Sequence, residues 1–126
     1  EAVVAQMASD AERLLRRFPR LTLLIAHMGA PECAEFLDLA ERFERVHLDT
    51  TMVFTDFFPR YPSGLVPRLR DLEPKVLLGS DFPTIPYPYA HQLEGLARLD
   101  LGDDWLRSVC WHNGAALFGD HPQVGG

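Results

Sequence analysis

Two apolar runs in this chain stop at groups that can move a proton or hold a metal. One reads Leu21-Thr22-Leu23-Leu24-Ile25-Ala26-His27-Met28-Gly29 and the other Lys75-Val76-Leu77-Leu78-Gly79-Ser80-Asp81-Phe82-Pro83. A continuous apolar run without alternation reads as a strand buried on both faces, as in a parallel sheet covered by helices. Helix-like patterns flank both runs. That alternation limits the fold to α/β with parallel strands and right-handed crossovers.

Val3, Val4, Met7, Ala8, Ala11, Leu14, Leu15 and Phe18 recur at helical spacing, and Pro19 closes the pattern. Residues 21–27 are the first strand. Pro31 and Glu32 open a second helix, because proline suits the first helical position and an acid suits the positive end of the helix dipole. Cys33, Phe36, Leu37, Ala40 and Phe43 form its apolar stripe. Val46-His47-Leu48-Asp49-Thr50 is a short strand. A loop rich in Phe, Tyr and Pro follows over 51–62. Ser63 is placed to cap a helix carrying Leu65, Val66, Leu69 and Leu72. Residues 75–78 are the third strand, and Phe82 to Tyr89 a Pro-rich loop. Ala90 to Leu99 reads as helix with Leu93, Leu96 and Ala97 inward. Asp103 caps a further helix with Leu106, Val109 and Cys110. A last turn, Ala115 to Phe118, stops at Gly119. Three strands in this order fit a small three-layer sheet, or three of the eight strands of a barrel that usually takes about 250 residues.

The 126 residues suit one domain, and 47% hydrophobic residues are enough to bury a core. The net charge of −6, from 18 acidic and 12 basic residues, argues against a nucleic-acid or anionic-membrane surface. No apolar run approaches the roughly 18 residues of a membrane span. Glu1-Ala2-Val3-Val4 has no signal-peptide pattern and reads as a chain entered in mid-helix. Cys33 and Cys110 form no CxxC. They read as buried free thiols of a cytoplasmic protein.

Asp81 stands where a buried strand opens into a loop, so it is a metal ligand or general base, or else a turn cap. His27 is a ligand or an acid/base group near neutral pH, or a buried histidine bonded to backbone. His47 and Asp49 alternate with Val46 and Leu48 and so share one face. Asp49, nearer the strand end, can line a pocket; His47, deeper, reads as structural. His91 reads as lying on the solvated side of its helix. Asn113 reads as a helix cap. The loop aromatics Phe54, Phe57, Phe58, Tyr61, Phe82, Tyr87 and Tyr89 line an apolar substrate pocket, or form a lid packed on its own sheet. The sequence holds no GxGxxG, GxxxxGK[ST], GxSxG or HExxH.

Four segments together resemble the amidohydrolase-2 family, the branch that includes aminocarboxymuconate-semialdehyde decarboxylase. They are Leu24-Ile25-Ala26-His27-Met28-Gly29, Val46-His47-Leu48-Asp49-Thr50-Thr51, Leu77-Leu78-Gly79-Ser80-Asp81-Phe82-Pro83 and Asn113-Gly114-Ala115-Ala116-Leu117-Phe118-Gly119. The resemblance covers about residues 1–119 and implies the last three β/α units, strands six to eight, of that family's TIM barrel. It implies that Asp81 binds a divalent metal and can take a proton from metal-bound water. It implies that His27 polarises substrate or acts as acid/base beside the metal. It implies that Asn113-Gly114-Ala115-Ala116 packs the last helix on the barrel bottom. The family's His-x-His pair and its strand-five histidine have no counterpart among His27, His47, His91, His112 and His121. Zinc needs three or four protein ligands.

The expectation is therefore the C-terminal part of an amidohydrolase-like barrel over 1–119, with a tail at 120–126. Its parent would hydrolyse or decarboxylate a small carboxylate or cyclic substrate with a divalent metal, zinc by preference. The catalytic residues expected are His27 and Asp81, with Asp49, Phe54, Phe57, Phe82 and Tyr87 at the substrate. The isolated chain is expected to be inactive, to hold no metal tightly, and to self-associate or pack against the missing barrel half. The competing expectation is a non-catalytic α/β domain for assembly or binding.

Overall fold

The three runs read as strands pair into one parallel sheet in the order β1-β2-β3. The computed structural model describes residues 2–119, with side chains from Met7 onward. The expected tail, His121 and the side chains of Val3 and Val4 lie outside the described residues. The elements are α1 (Ala2–Arg17), β1 (Leu23–Ile25), α2 (Cys33–Arg42), β2 (Val46–Asp49), α3 (Val66–Asp71), β3 (Val76–Leu77), α4 (Ala90–Ala97), α5 (Asp103–Arg107) and α6 (Asn113–Phe118). One π-helical turn, Ser108–His112, joins α5 to α6 without leaving helical backbone angles. Among the described residues the sheet does not close into a barrel.

Register explains the core. Leu23 pairs with Val46, Ile25 with Leu48, and Leu48 with Val76. Side chains alternate across a strand, so these residues share the face that the helices cover. Val46, Leu48, Val76, Leu37, Ala40 and Leu69 are all at 0% exposure. Burying each Val or Leu contributes about 1.5–3 kcal/mol. Trp105, at 1% exposure, donates its indole N–H to the Leu69 carbonyl at 2.8 Å and pins α5 to α3.

Several expected details shift. The first strand is not buried on both faces: Leu21, Leu23 and Ile25 are half-buried, while Thr22, Leu24 and Ala26 are exposed. β1 ends the sheet, and its outer side has no strand beside it among the described residues. Pro31 does not open α2. The Ala30–Pro31 bond is cis, and helix begins two residues later at Cys33. Ser63 makes no capping bond and starts a short 3-10 turn before α3. Asp103 lies inside its helix, with Gly102 at the cap position. The inward face of α4 is Gln92, Gly95 and Leu96 rather than Leu93, Leu96 and Ala97, for Leu93 and Ala97 are exposed.

The β3 edge is closed from within the chain. The Leu77 carbonyl accepts Thr50 N–H from the β2 side at 3.0 Å. Alternation then turns the polar groups of Val76 and Leu78 away from β2. Leu78 N–H donates to Val109 O at 3.0 Å. Asn113 Nδ2 donates to Val76 O at 2.8 Å, and also to Glu73 O. Asn113 is thus a bracket between α6 and β3 rather than a helix cap.

Candidate active site at the carboxyl ends of the strands

Because the strands are parallel, the segments that leave β1, β2 and β3 emerge at one edge of the sheet. His27 stands two residues past β1, Asp49 is the last residue of β2, and Asp81 stands four past β3. The structure therefore brings His27, Asp49 and Asp81 to the same edge.

The turn after β1 is unusual. His27, Met28 and Gly29 all have positive φ, at 55°, 55° and 78°. For residues with a Cβ this conformation costs about 1–3 kcal/mol each and persists only where the surroundings fix it. Asp49 bonds to this turn. Its Oδ1 accepts His27 N–H at 3.0 Å and Thr51 N–H at 3.1 Å. Met28 is fully buried below the turn. Gly29 has no room for a side chain, since a Cβ there would overlap the Phe36 ring.

The same turn aims the imidazole. His27 Nδ1 lies 2.9 Å from the Thr51 carbonyl oxygen. A carbonyl only accepts, so Nδ1 carries the proton and Nε2 holds the lone pair in the neutral ring. Phe58 stacks on the ring, centroids 5.4 Å apart and planes 21° apart. His27 is half-buried, so neither wholly core nor wholly solvent.

Asp81 has φ 59°, is exposed, and accepts Thr84 N–H through its own carbonyl at 2.9 Å. Asp81 and Thr55 both lie near Tyr87, whose hydroxyl is pushed up in pKa chiefly by burial, with the Asp81 charge adding to the shift. The ring contact between Phe57 and Tyr87 brings the β2 and β3 loops together. Phe57 packs on Tyr87 at 5.0 Å and on the His91 ring at 5.8 Å. His91 is accordingly half-buried, contrary to its expected place in solvent, with Nε2 3.6 Å from Asp56 Oδ2. Phe54 pairs with Tyr61 at 5.1 Å, while Phe82 is 65% exposed and meets Tyr89 edge-on.

Gln92 escaped the sequence reading. Its Oε1 accepts Met52 N–H at 3.2 Å and its Nε2 donates to Ser80 O at 2.9 Å. One buried side chain on α4 thereby ties the β2 loop to the β3 loop. A Gln set in line with Gly95 and Leu96 on the helix was the available signal. Gly95 belongs to the same device, because a Cβ there would overlap the Phe54 carbonyl.

Among the described residues, no three of His, Cys, Asp and Glu converge to hold a metal ion. Asp81 contributes one exposed carboxylate, and His27 Nδ1 is committed to Thr51. These residues by themselves do not fit a divalent metal. No helix among the described residues is long and apolar enough to cross a membrane.

No curated protein matches the chain. Among solved structures, it is similar to an uncharacterized TIM-barrel protein from Bordetella bronchiseptica, with a TM-score of 0.71 and 22% identity over 86% of this chain and 37% of that one. It is also similar to a protein assigned as a 2-pyrone-4,6-dicarboxylic acid hydrolase from Pseudomonas putida, with a TM-score of 0.61 and 19% identity over 89% of this chain and 49% of that one. The chain thus spans less than half the length of either neighbour. The three parallel strands and their helices have the fold of part of a TIM barrel. The Amidohydro_2 family model, described as amidohydrolase, matches residues 1–119; with a match of that extent, the chain belongs to the amidohydrolase family.

Proposed function

We propose that this chain carries the acid/base part of an amidohydrolase active site, with His27 and Asp81 as its reactive groups. The substrate is a small carboxylate or cyclic compound, and the reaction is hydrolysis or non-oxidative decarboxylation. The observation that carries the reading is the His27 Nδ1 contact with Thr51 O at 2.9 Å. An imidazole anchored at Nδ1 has Nε2 for proton transfer, in a ring whose plane Phe58 and the backbone hold fixed. In hydrolysis Nε2 takes a proton from the attacking water or gives one to the leaving atom. In decarboxylation the protonated ring delivers a proton to the carbon that loses carbon dioxide. Asp81 supplies a carboxylate at the same sheet edge; as a metal ligand it would be one of a set completed beyond the described residues. Two free thiols, one buried and one half-buried, accord with a reducing cytoplasmic setting.

The test is turnover by the protein that contains this chain. His27→Ala and Asp81→Asn are each expected to lower kcat by about 10²–10⁴-fold, the usual share of general acid–base catalysis. Circular dichroism should show the fold retained, because both residues lie beyond the strands. Unchanged kcat in either variant would remove that residue from the mechanism. The exposed apolar side chains Met7, Leu14 and Leu24 favour a second reading, a domain for assembly. That reading expects no turnover and a loss of association when those side chains are made polar.

A further inference from the structure

We propose that Asp49 is a positioning residue for His27, a role that rests on the acid/base reading of His27 above. Asp49 sits at the end of β2, where a carboxylate beside a pocket would ordinarily be assigned to substrate. Its Oδ1 is instead spent on two backbone amides, His27 N–H at 3.0 Å and Thr51 N–H at 3.1 Å. Those amides belong to the two segments that fix the imidazole. His27 is held at φ 55°, a conformation a β-carbon disfavours. Thr51 presents the carbonyl that engages Nδ1. One carboxylate oxygen thus locks both ends of the His27–Thr51 contact. It sets the backbone from which the ring projects, and it sets the acceptor that fixes the tautomer.

The third strand end completes the support. Gly79 follows β3 and packs against this group so closely that a Cβ would overlap Thr51 Oγ1 and lie 3.2 Å from Asp49 Cγ. Gly79 N–H also donates to Thr50 Oγ1 at 3.3 Å. All three strand ends therefore hold Asp49 in place, and none of the named contacts requires a substrate. A charged acceptor suits the task, since hydrogen bonds to a carboxylate are shorter and stronger than neutral ones. A carboxylate that only bound substrate would have no reason to accept two amides of the protein itself.

The experiment is nuclear magnetic resonance of the isotope-labelled chain, comparing wild type with Asp49→Ala and Asp49→Asn. Wild type is expected to show His27 as the Nδ1–H tautomer, with slowly exchanging His27 and Thr51 amides. Asp49→Ala is expected to speed exchange of both amides about ten- to hundredfold and to mix the ring tautomers. Asp49→Asn keeps the shape and one acceptor oxygen. It is expected to retain the tautomer while its amides exchange faster than in wild type. Should Asp49→Ala fail to fold, the amide exchange in Asp49→Asn decides the matter. Wild-type exchange and an unchanged tautomer in the folded variants overturn the positioning role and leave the acid/base reading standing. In the other direction, a ring that responds to Asp49 while His27→Ala keeps full turnover refutes the acid/base reading, and with it the catalytic purpose of the positioning.

Discussion

Asn113 donates its side-chain amide to the Val76 carbonyl at 2.8 Å, on the edge of β3 that faces away from β2. A strand edge is a row of unpaired donors and acceptors, and proteins cover it or lose it to aggregation. Here a helix covers it, with Asn113 serving Val76 and Glu73 and Val109 serving Leu78. Asn113→Ala would leave two carbonyls without a donor, at a cost of about 1–3 kcal/mol. Asn113→Asp should cost more, because an ionised carboxylate cannot donate and would face carbonyl oxygens. Urea unfolding monitored by circular dichroism checks both; an Asp variant as stable as wild type would show that the bracket is not needed.

Gly79→Ala is expected to destabilise the chain by about 1–3 kcal/mol, the usual penalty for overpacking. Its backbone does not require glycine, for φ at Gly79 is not positive; the constraint is space. The new Cβ would overlap Thr51 Oγ1. Removing that oxygen should relieve the clash, so Gly79→Ala combined with Thr51→Ala should be more stable than Gly79→Ala alone. Equal stability of the single and double variants, in a full mutant cycle, would place the strain elsewhere.

Much of the architecture was legible because it rests on strong periodic signals. The continuous runs gave strand order and direction, and the α/β alternation put His27 and Asp81 at one edge. What stayed hidden depends on contacts between residues far apart in the chain. Asp49 reads as a pocket acid because nothing local reveals that His27 and Thr51 will turn their amides toward it. Gln92 draws no notice in the sequence because its two partners sit on different loops. The periodicity points α4 inward through Leu93 because Leu93 is more apolar than Gly95, yet only a residue without a side chain admits the Phe54 carbonyl. Residues 21–27 read as doubly buried, yet Leu24 is exposed because composition does not say which strand ends a sheet.

His47 is expected to make stability depend on pH. Its ring is half-buried in β2, and its Nδ1 is buried with no hydrogen-bond partner among the described residues. Burial lowers its pKa below the ordinary 6.5, and the nearby Lys75 charge adds to that. Lys75 is itself held in place by the Ala40 and Phe43 carbonyls. In the unfolded chain His47 titrates at about the ordinary value. Below it the unfolded state binds more protons than the folded state, so stability is complete above 6.5 and falls as pH drops toward the folded value. His47→Gln should flatten that part of the stability–pH curve. An identical slope in the variant, measured by urea midpoints on either side of this range, would assign the acid sensitivity to other groups.

Among the described residues, the opposite end of the sheet lacks the protection that Asn113 gives β3. Leu24 on β1 is 41% exposed, and Leu14 and Met7 on α1 are 41% and 55% exposed. With Ala11 and Phe36 they line one apolar cleft between α1 and β1. An end strand beside an apolar cleft offers backbone groups and greasy surface together, the combination that favours pairing with another copy. Self-association at micromolar concentration is the expected behaviour, with a dye for exposed apolar surface binding the monomeric fraction. Leu14→Glu combined with Leu24→Lys should shift the sedimentation profile toward monomer, since charges on an edge oppose pairing. The helix-covered core residues Leu37, Leu48 and Leu69 are untouched by these changes, so stability should hold. A wild-type chain that sediments as a sharp monomer and binds no dye would show that β1 and α1 need no partner.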